Sequence, residues 1–416
     1  MLPSIFLLPF LVVTSASVFK PPDQKPIFAS SHLHQKVTGF TSLGDSYSAG
    51  IGTPPTQGDN PCRLGTGAYP YLLARSLDLS PLSSSSSSPT FQWLSCTGST
   101  TADLFVTSPY SQISAINTTL GPPSFATLSI GGNDLDFFAL LNACVFRFYG
   151  PFGSGTCADS LRKAEDAIFQ DSDEFELRLR LVLLEVLDRM RWERRPDFFV
   201  TVTGYAAFFN AETKKCDGVT FGVWNGEGGG GIKLTKEVRR RMNELVRGAN
   251  EILRGVVETV SEGFGGKRKA VFVDYDGEFE GHRFCEEGVE EPDYERAATW
   301  FFLPGGKDTN GKGEVYEEEE KVIGEGDKLV DPWECEEVVE ESGDWGERAV
   351  CDMVRAKWRD PELRFVSGHE RLRVAPGDSM WFTPTYYGKT FHPRSVGHEA
   401  IRDKIYNVWE EHGLLK

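Results

Sequence analysis

Short apolar runs alternate with longer amphipathic stretches along most of the chain. Runs rich in β-branched and aromatic residues predict strands at residues 37–43, 91–94, 198–202 and 270–273, and another apolar run ends at residues 128–130. Apolar residues recur at helical spacing over residues 68–77, 160–195 and 234–260, and again near the C-terminus. Strands that alternate with helices favour an α/β fold.

The helical stretch at residues 160–195 has a prominent row of leucines. They are Leu177, Leu181, Leu184 and Leu187. Leucines at this spacing predict the buried face of a long helix rather than a cofactor site.

Two stretches depart from the pattern and predict surface excursions. Residues 81–89 include six consecutive serines, which is typical of a flexible loop. Residues 305–360 are acidic and irregular, and we expect Cys335 and Cys351 to hold them as a disulfide-pinned insertion. The acidic run within it is either a solvated face, a lid or a partner surface.

Chain length and net charge limit the number of domains and the classes of binding partner. A chain of 416 residues is long enough for one large α/β domain or two smaller ones. Its formal net charge of −17 argues against nucleic acid or anionic membrane surfaces as partners. We also expect a monomer with no nucleic-acid partner.

The N-terminal residues indicate export. Residues 1–17 form a short apolar core followed by small residues, which predicts a signal peptide, although a retained anchor is the alternative because no basic residue precedes the core. No later stretch is apolar and long enough to span a bilayer. We expect a secreted, extracellular protein. The sequon at Asn117 fits N-glycosylation, and chance occurrence is the alternative.

The even number of cysteines also favours an oxidising compartment. None of the eight lies in a Cys-x-x-Cys pair, so disulfides are favoured over zinc. Proximity in sequence suggests the pairs Cys62–Cys96, Cys144–Cys157, Cys216–Cys285 and Cys335–Cys351, although spacing alone does not prove connectivity.

Four short motifs carry the residues with chemical potential. They are Gly44-Asp45-Ser46, Ser95-Cys96-Thr97-Gly98, Gly131-Gly132-Asn133-Asp134 and Phe391-His392-Pro393. The first three follow predicted strands, where open α/β sheets place their active sites. The fourth precedes a predicted helix.

This order resembles the four blocks of the SGNH (GDSL-type) hydrolase superfamily, over residues 37–411. The resemblance extends to secreted fungal members and to the actinobacterial Ser-His dyad esterases. It implies a three-layer α/β/α sandwich with a mainly parallel five-stranded sheet, and neither a metal nor an organic cofactor. It also implies that Ser46 is the nucleophile and that the oxyanion donors are the backbone N–H groups of Ser46 and Gly98 and the side-chain amide of Asn133.

The resemblance favours His392 as the catalytic base. In the superfamily the histidine precedes a proline and stands five residues before a glycine, which Pro393 and Gly397 match. His398 is the rival. Many members place an aspartate three residues before the histidine, but that position here is Lys389, which cannot accept a hydrogen bond from the imidazole. We expect the main-chain carbonyl of Lys389 or of a neighbour to orient the ring instead.

The resemblance implies a serine esterase or lipase that acts through an acyl-serine intermediate. Lipid esters, short acyl esters and acylated plant polysaccharides all remain open as substrates. One alternative is a secreted binding glycoprotein that kept the fold and lost the chemistry. Another is a glycosidase that uses paired carboxylates.

Overall fold

The computed structural model describes a large part of the chain. The described residues are 37–54, 62–81, 90–119, 122–146, 156–221, 232–265, 268–293, 297–303, 306–309 and 385–414. The expected signal peptide, most of the serine-rich loop and most of the acidic insertion, including the expected pair Cys335–Cys351, lie outside them.

One sheet organises the described residues. Its strands are β1 (Gly39–Gly44), β2 (Ser80–Pro81), β3 (Thr90–Trp93), β4 (Phe125–Ser129), β5 (Phe199–Thr203) and β6 (Ala270–Val273). They lie in the order β2-β3-β1-β4-β5-β6, and each neighbouring pair is parallel. The five predicted strands are present, and the two-residue β2 adds a short edge.

Helices and single turns connect the strands. The α-helices are α1 (Ser46–Ala49), α2 (Tyr69–Ser76), α3 (Thr101–Leu104), α4 (Gln112–Ala115), α5 (Phe137–Leu141), α6 (Cys157–Phe169), α7 (Asp173–Arg189), α8 (Lys236–Glu262), α9 (Thr385–Gly388) and α10 (Ser395–Glu411). A π-helical turn follows α5 at Asn142–Phe146, and 3₁₀ turns lie at Trp192–Arg194, Lys215–Gly218 and Asp276–Phe279. No helix in these ranges is both long and apolar enough to cross a membrane.

Helices cover both faces of the sheet. On one face, the ring of Trp409 in α10 packs edge-on against Phe125 and Phe199, and its Nε1 donates a 2.8 Å hydrogen bond to Thr201 Oγ1. Side chains alternate along a strand, so Val200 points to the opposite face, where α7 and α8 pack. The predicted α/β/α sandwich is confirmed.

The prediction that the leucine row of α7 is core is wrong for three of its four members. Leu177, Leu181 and Leu184 are 53, 43 and 39% exposed, whereas Leu187 is buried. The helix instead buries a second apolar row, Phe175, Leu179, Val182, Leu183 and Val186. Both rows have helical spacing, so the sequence pattern alone could not decide which one faces the core.

The single helix predicted at residues 160–195 is also wrong. The chain forms α6 and α7 there, separated by residues 170–172. Ser172 precedes α7, and its Oγ donates a 2.6 Å hydrogen bond to Glu176 Oε1. This bond joins two side chains and caps no backbone N–H of α7, so it does not account for the break.

Among the described residues, three disulfides brace the connections. They join Cys62 to Cys96, Cys144 to Cys157, and Cys216 to Cys285, which are the pairings expected for six of the eight cysteines. The first connects the segment after α1 to the turn after β3. The carbonyl oxygen of Cys62 also accepts hydrogen bonds from the backbone N–H and Oγ1 of Thr97. The second sequence block is therefore tied covalently to the loop that follows the first.

Candidate active site

The turn after β1 presents Ser46 as the first residue of α1. Asp45 caps this helix, because its Oδ1 accepts a 3.0 Å hydrogen bond from the backbone N–H of Tyr47. Gly44 has φ +124°, and a Cβ atom there would lie 1.9 Å from the carbonyl oxygen of Ser129 in β4. Only glycine fits this close approach of two strands. The start of α1 is thereby fixed against the sheet.

His392 lies against Ser46 although 346 residues separate them in the chain. Its Nε2 is 2.6 Å from Ser46 Oγ. Its Nδ1 lies 3.2 Å from the carbonyl oxygen of Lys389 and 3.2 Å from that of Thr390. The Lys389 side chain points elsewhere, with Nζ 4.9 Å from the centre of the Phe302 ring. The imidazole is therefore bounded by one hydroxyl and two main-chain carbonyls.

The rival His398 does not share this position. It lies in the first turn of α10 and is fully buried, and neither ring nitrogen has a hydrogen-bond partner in the described part of the chain. Burial lowers its pKa to about 3. The structure thus pairs Ser46 with His392 and keeps His398 in the interior.

Burial sets the charge of His392. Loss of solvation lowers the pKa of its imidazole to about 4, while the carbonyls of Thr390 and Lys389 act in the opposite direction. The ring is therefore neutral at physiological pH. A neutral ring whose Nδ1–H donates to a carbonyl has Nε2 free to accept the proton of Ser46.

The expected oxyanion donors lie on the turns that follow β1, β3 and β4. Asn133 follows β4, and its Nδ2 donates a 2.8 Å hydrogen bond to the carbonyl oxygen of Ser99. Gly98 precedes Ser99 and has φ +84°, a conformation that glycine adopts readily. Ser46, Asn133 and His392 line one cavity, whereas Gly98 is not among the described residues that line it.

The cavity is apolar beyond these polar groups. The space within it that a water-sized sphere can enter is about 60 Å³. The apolar side chains that line it are Phe137, Phe138, Leu141, Phe208, Val246 and Phe391. Such a wall accommodates hydrocarbon better than sugar hydroxyls, which would lose hydrogen bonds to water there.

Sequence reasoning assigned no role to two buried residues that join the blocks. Gln112 bonds both backbone groups of Gly44, accepting from its N–H at 2.7 Å and donating to its carbonyl at 2.9 Å, and it also donates to Ser99 Oγ. Tyr205 bonds Asp45. The only local signal for Tyr205 was its place after Gly204 at the end of β5. No sequence signal marked Gln112.

No cluster that could hold a metal ion occurs in the described ranges, counting groups of three or more His, Cys, Asp and Glu. The sequence matches no protein-family model.

Two solved structures resemble part of the fold. A phospholipase A1 from Streptomyces albidoflavus is 24% identical, with a TM-score of 0.42 over 59% of this chain and 83% of that one. An extracellular lipase from Streptomyces rimosus is 21% identical, with a TM-score of 0.41 over 61% of this chain and 89% of that one.

Two curated relatives are similar in sequence. Lipase 1 of Streptomyces coelicolor is 30% identical over 182 residues, which is 42% of this chain and 55% of the relative. A lipase of Streptomyces rimosus is 27% identical over 175 residues, which is 42% of this chain and 54% of the relative. The chain thus spans about half the length of each of them. With the four blocks meeting at one edge of a parallel sheet, this similarity confirms the predicted resemblance to the SGNH hydrolase superfamily.

Proposed function

We propose that the protein hydrolyses carboxylic esters through an acyl-Ser46 intermediate. The observation that carries the proposal is the 2.6 Å contact between Ser46 Oγ and His392 Nε2 beside an apolar cavity. An unactivated hydroxyl is a weak nucleophile, and a neutral imidazole at hydrogen-bond distance is the base that activates it.

In the first half-reaction, Ser46 Oγ attacks the ester carbonyl carbon while its proton moves to His392 Nε2. The tetrahedral intermediate collapses as the bond to the alkoxy oxygen breaks. That oxygen takes the proton from the imidazolium and leaves as the alcohol. Ser46 then carries the acyl group as an ester.

In the second half-reaction, water replaces the alcohol. His392 Nε2 takes a proton from the water as its oxygen attacks the acyl carbon. Collapse of this intermediate breaks the bond to Ser46 Oγ, which regains the proton from the imidazolium. The carboxylic acid leaves, and the free enzyme is restored.

Two carbonyls take the place of an orienting acid in this proposal. The carbonyl oxygens of Lys389 and Thr390 fix the tautomer by accepting from Nδ1–H, and their dipoles favour the imidazolium that forms during attack. They stabilise that cation less than a carboxylate would. Because they also raise the pKa of the imidazole less than a carboxylate would, His392 stays unprotonated down to acidic pH.

The negative charge on the intermediate needs donors. We assign this role to the backbone N–H groups of Ser46 and Gly98 and to the Asn133 amide. Loss of one such donor typically reduces turnover by about 10²–10³-fold.

The apolar cavity favours an aliphatic acyl chain over acetyl, in keeping with the two relatives named as lipases. Each buried methylene contributes about 0.8 kcal/mol, or about fourfold in kcat/KM, until the cavity is full. The rival proposal, an inactive binding glycoprotein, gives no reason for an intact Ser46–His392 pair.

We also propose that the protein is secreted as a monomer and glycosylated at Asn117. Three disulfides support the oxidising compartment. Asn117 starts a turn in which its Oδ1 accepts from the backbone N–H and the Oγ1 of Thr119, both at 2.9 Å.

The test has two parts. A fluorophosphonate should label the wild-type protein and fail to label Ser46→Ala, and labelling that persists in the variant would refute the nucleophile. Kinetics on p-nitrophenyl esters from acetate to decanoate should then show kcat/KM rising with chain length. A maximum at acetate would refute the acyl-chain preference.

A matched pair of variants links that preference to the cavity. Phe138→Ala enlarges the cavity and should move the optimum to longer chains. Phe169→Ala removes a ring that is 52% exposed on α6 and does not line the cavity, so its profile should match the wild type.

A further inference from the structure

The hydroxyl of Tyr205 joins the turn that carries Ser46 to the turn that carries Asn133. It donates a 2.6 Å hydrogen bond to Asp45 Oδ2 and accepts a 3.0 Å hydrogen bond from the backbone N–H of Gly132. Asp45 immediately precedes Ser46, and Gly132 immediately precedes Asn133. One oxygen atom therefore connects the residue before the proposed nucleophile to the residue before a proposed oxyanion donor.

The Asp45 end of this bridge is fixed on three sides. Besides Tyr205, its carboxylate accepts from the backbone N–H of Tyr47 and from Ser129 Oγ, each at 3.0 Å. The side chain is buried, and the loss of solvation raises its pKa to about 7 against the effect of these hydrogen bonds. A buried carboxyl that loses a donor is costly, so the bond from Tyr205 is strongly favoured.

The Gly132 end lies in a turn packed against a ring. Gly131 has φ +125°, and a Cβ atom there would lie 2.6 Å from Cζ of Phe175. Phe175 thus confines one part of the turn, and the Tyr205 hydroxyl holds the next N–H. The Asn133 side chain projects from the residue that follows.

Tyr205 itself is held on a rigid support. Its backbone N–H donates to Asn250 Oδ1 and its carbonyl accepts from Asn250 Nδ2, both at 2.8 Å. Asn250 lies in the 27-residue helix α8. The Tyr205 ring packs edge-on against Tyr47 at 5.0 Å between ring centres. The hydroxyl therefore has a fixed position relative to both turns.

We propose that Tyr205 is a positioning residue that sets the distance between Ser46 Oγ and the Asn133 amide. This inference rests on the proposed esterase function. The hydroxyl would act through Asn133. Asn133 would stabilise a charge that develops only during attack, so the hydroxyl affects the transition state and not the bound substrate. Its loss should reduce kcat and leave KM nearly unchanged.

The experiment is a double-mutant cycle of Tyr205→Phe and Asn133→Ala on one activated ester. Tyr205→Phe keeps the ring and removes the bridging oxygen. We expect it to lower kcat by about 10- to 100-fold, which is the range for small misplacements of catalytic groups. In the Asn133→Ala background the same change should have an effect within about twofold, because the donor that it positions is already gone.

Tyr69→Phe is the matched control. Tyr69 is also buried, and its hydroxyl lies 3.4 Å from Thr203 Oγ1 in the sheet. Its kcat should equal that of the wild type. If Tyr205→Phe does not fold by circular dichroism, 4-aminophenylalanine at position 205 replaces it. That residue keeps a donor for Asp45 but is a poor acceptor for Gly132, so kcat should again fall.

The outcomes separate the two proposals. Absence of both ester turnover and fluorophosphonate labelling in the wild type would refute the proposed function. Normal wild-type turnover with an unchanged kcat in the position-205 variant would refute only the role of Tyr205. Equal losses with and without Asn133 would also refute it, since Tyr205 would then act by another route.

Discussion

The hydroxyl of Tyr47 donates a 2.9 Å hydrogen bond to the carbonyl oxygen of Phe391. Tyr47 follows Ser46 in α1, and Phe391 precedes His392. Phe391 has φ +64°, a strained conformation for a residue with a side chain. The bond joins the two proposed catalytic residues through their neighbours, and the Tyr47 ring also packs 5.0 Å from the imidazole.

Tyr47→Phe should therefore weaken catalysis as well as stability. The ring contact remains, but a buried carbonyl loses its donor, which typically costs about 1–3 kcal/mol. We expect a lower Tm and a kcat reduced by about 10-fold. Tyr406→Phe, which removes a hydroxyl bonded to Ser76 at the surface, is the control. An unchanged kcat would mean that backbone bonds to Phe302 suffice to hold the His392 turn.

Substitutions near the C-terminus should identify the base and show that no carboxylate assists it. His392→Ala should lose about 10⁴–10⁶-fold in kcat. His398→Ala should be less stable, because it leaves a cavity, yet keep substantial turnover. Lys389→Ala should be mild, since the backbone carbonyl survives. The measurement is kcat/KM on one activated ester.

Glu399→Gln and Asp403→Asn complete that panel as tests for a hidden acid. Both residues lie in α10, and Asp403 Oδ1 accepts from Arg402 rather than from the imidazole. Both variants should keep nearly full activity. A collapse of either one to the level of His392→Ala would contradict the carbonyl-oriented pair.

The pH profile should report the partly buried imidazole of His392. Because the pKa of His392 is lowered to about 4, the base stays active well below pH 6.5. We expect no step near pH 6.5 from His392 and a fall in kcat/KM of about tenfold per pH unit below about 4; a smaller step near pH 7 would report Asp45, whose pKa burial raises to about 7. A midpoint near 6.5 would show that the ring is solvated in the working enzyme.

Folding must be followed in the same experiment. A histidine whose pKa is lowered by folding contributes stability that is present above its unfolded value of 6.5 and is lost as the pH falls through about 4. Circular dichroism at each pH separates this loss of folded protein from protonation of the base in the native state.

Removing the Cys62–Cys96 disulfide should harm activity and stability together. The bond ties the turn of Gly98 to the loop after α1, and loss of a native disulfide typically costs about 2–5 kcal/mol. Replacing both cysteines by serine should lower Tm and kcat/KM. The same replacement at Cys144 and Cys157, between the π-helical turn after α5 and α6, should lower Tm with a smaller effect on kcat/KM. Equal kinetic losses would show that the first bond has no special link to the site.

The sequence predicted those features of the site that depend on neighbouring residues in the chain. Gly44, Gly98 and Gly131 all have positive φ at the ends of strands, where the chain must turn sharply, so the motifs are visible in the sequence itself. The absence of an acid at position 389 likewise predicted carbonyl contacts to Nδ1, and Lys389 and Thr390 supply them.

The parts that it missed depend on contacts between distant residues. Tyr205 is 160 residues from Asp45, and Gln112 is 68 residues from Gly44, so neither partner can be read from local spacing. The prediction that the leucine row of α7 is buried was wrong for a related reason. Two apolar rows compete on one helix, and only the tertiary packing selects between them.

The close approach at Gly44 has a consequence for directed evolution of this chain. A Cβ atom at position 44 would collide with the backbone of β4, which no rotamer change can relieve. At Gly132 the nearest atom to such a Cβ is the Tyr205 oxygen at 3.5 Å, an ordinary contact. A randomised library should therefore keep codon 44 constant and can vary codon 132, so that diversity falls on the wall of the site rather than on the strand that carries it.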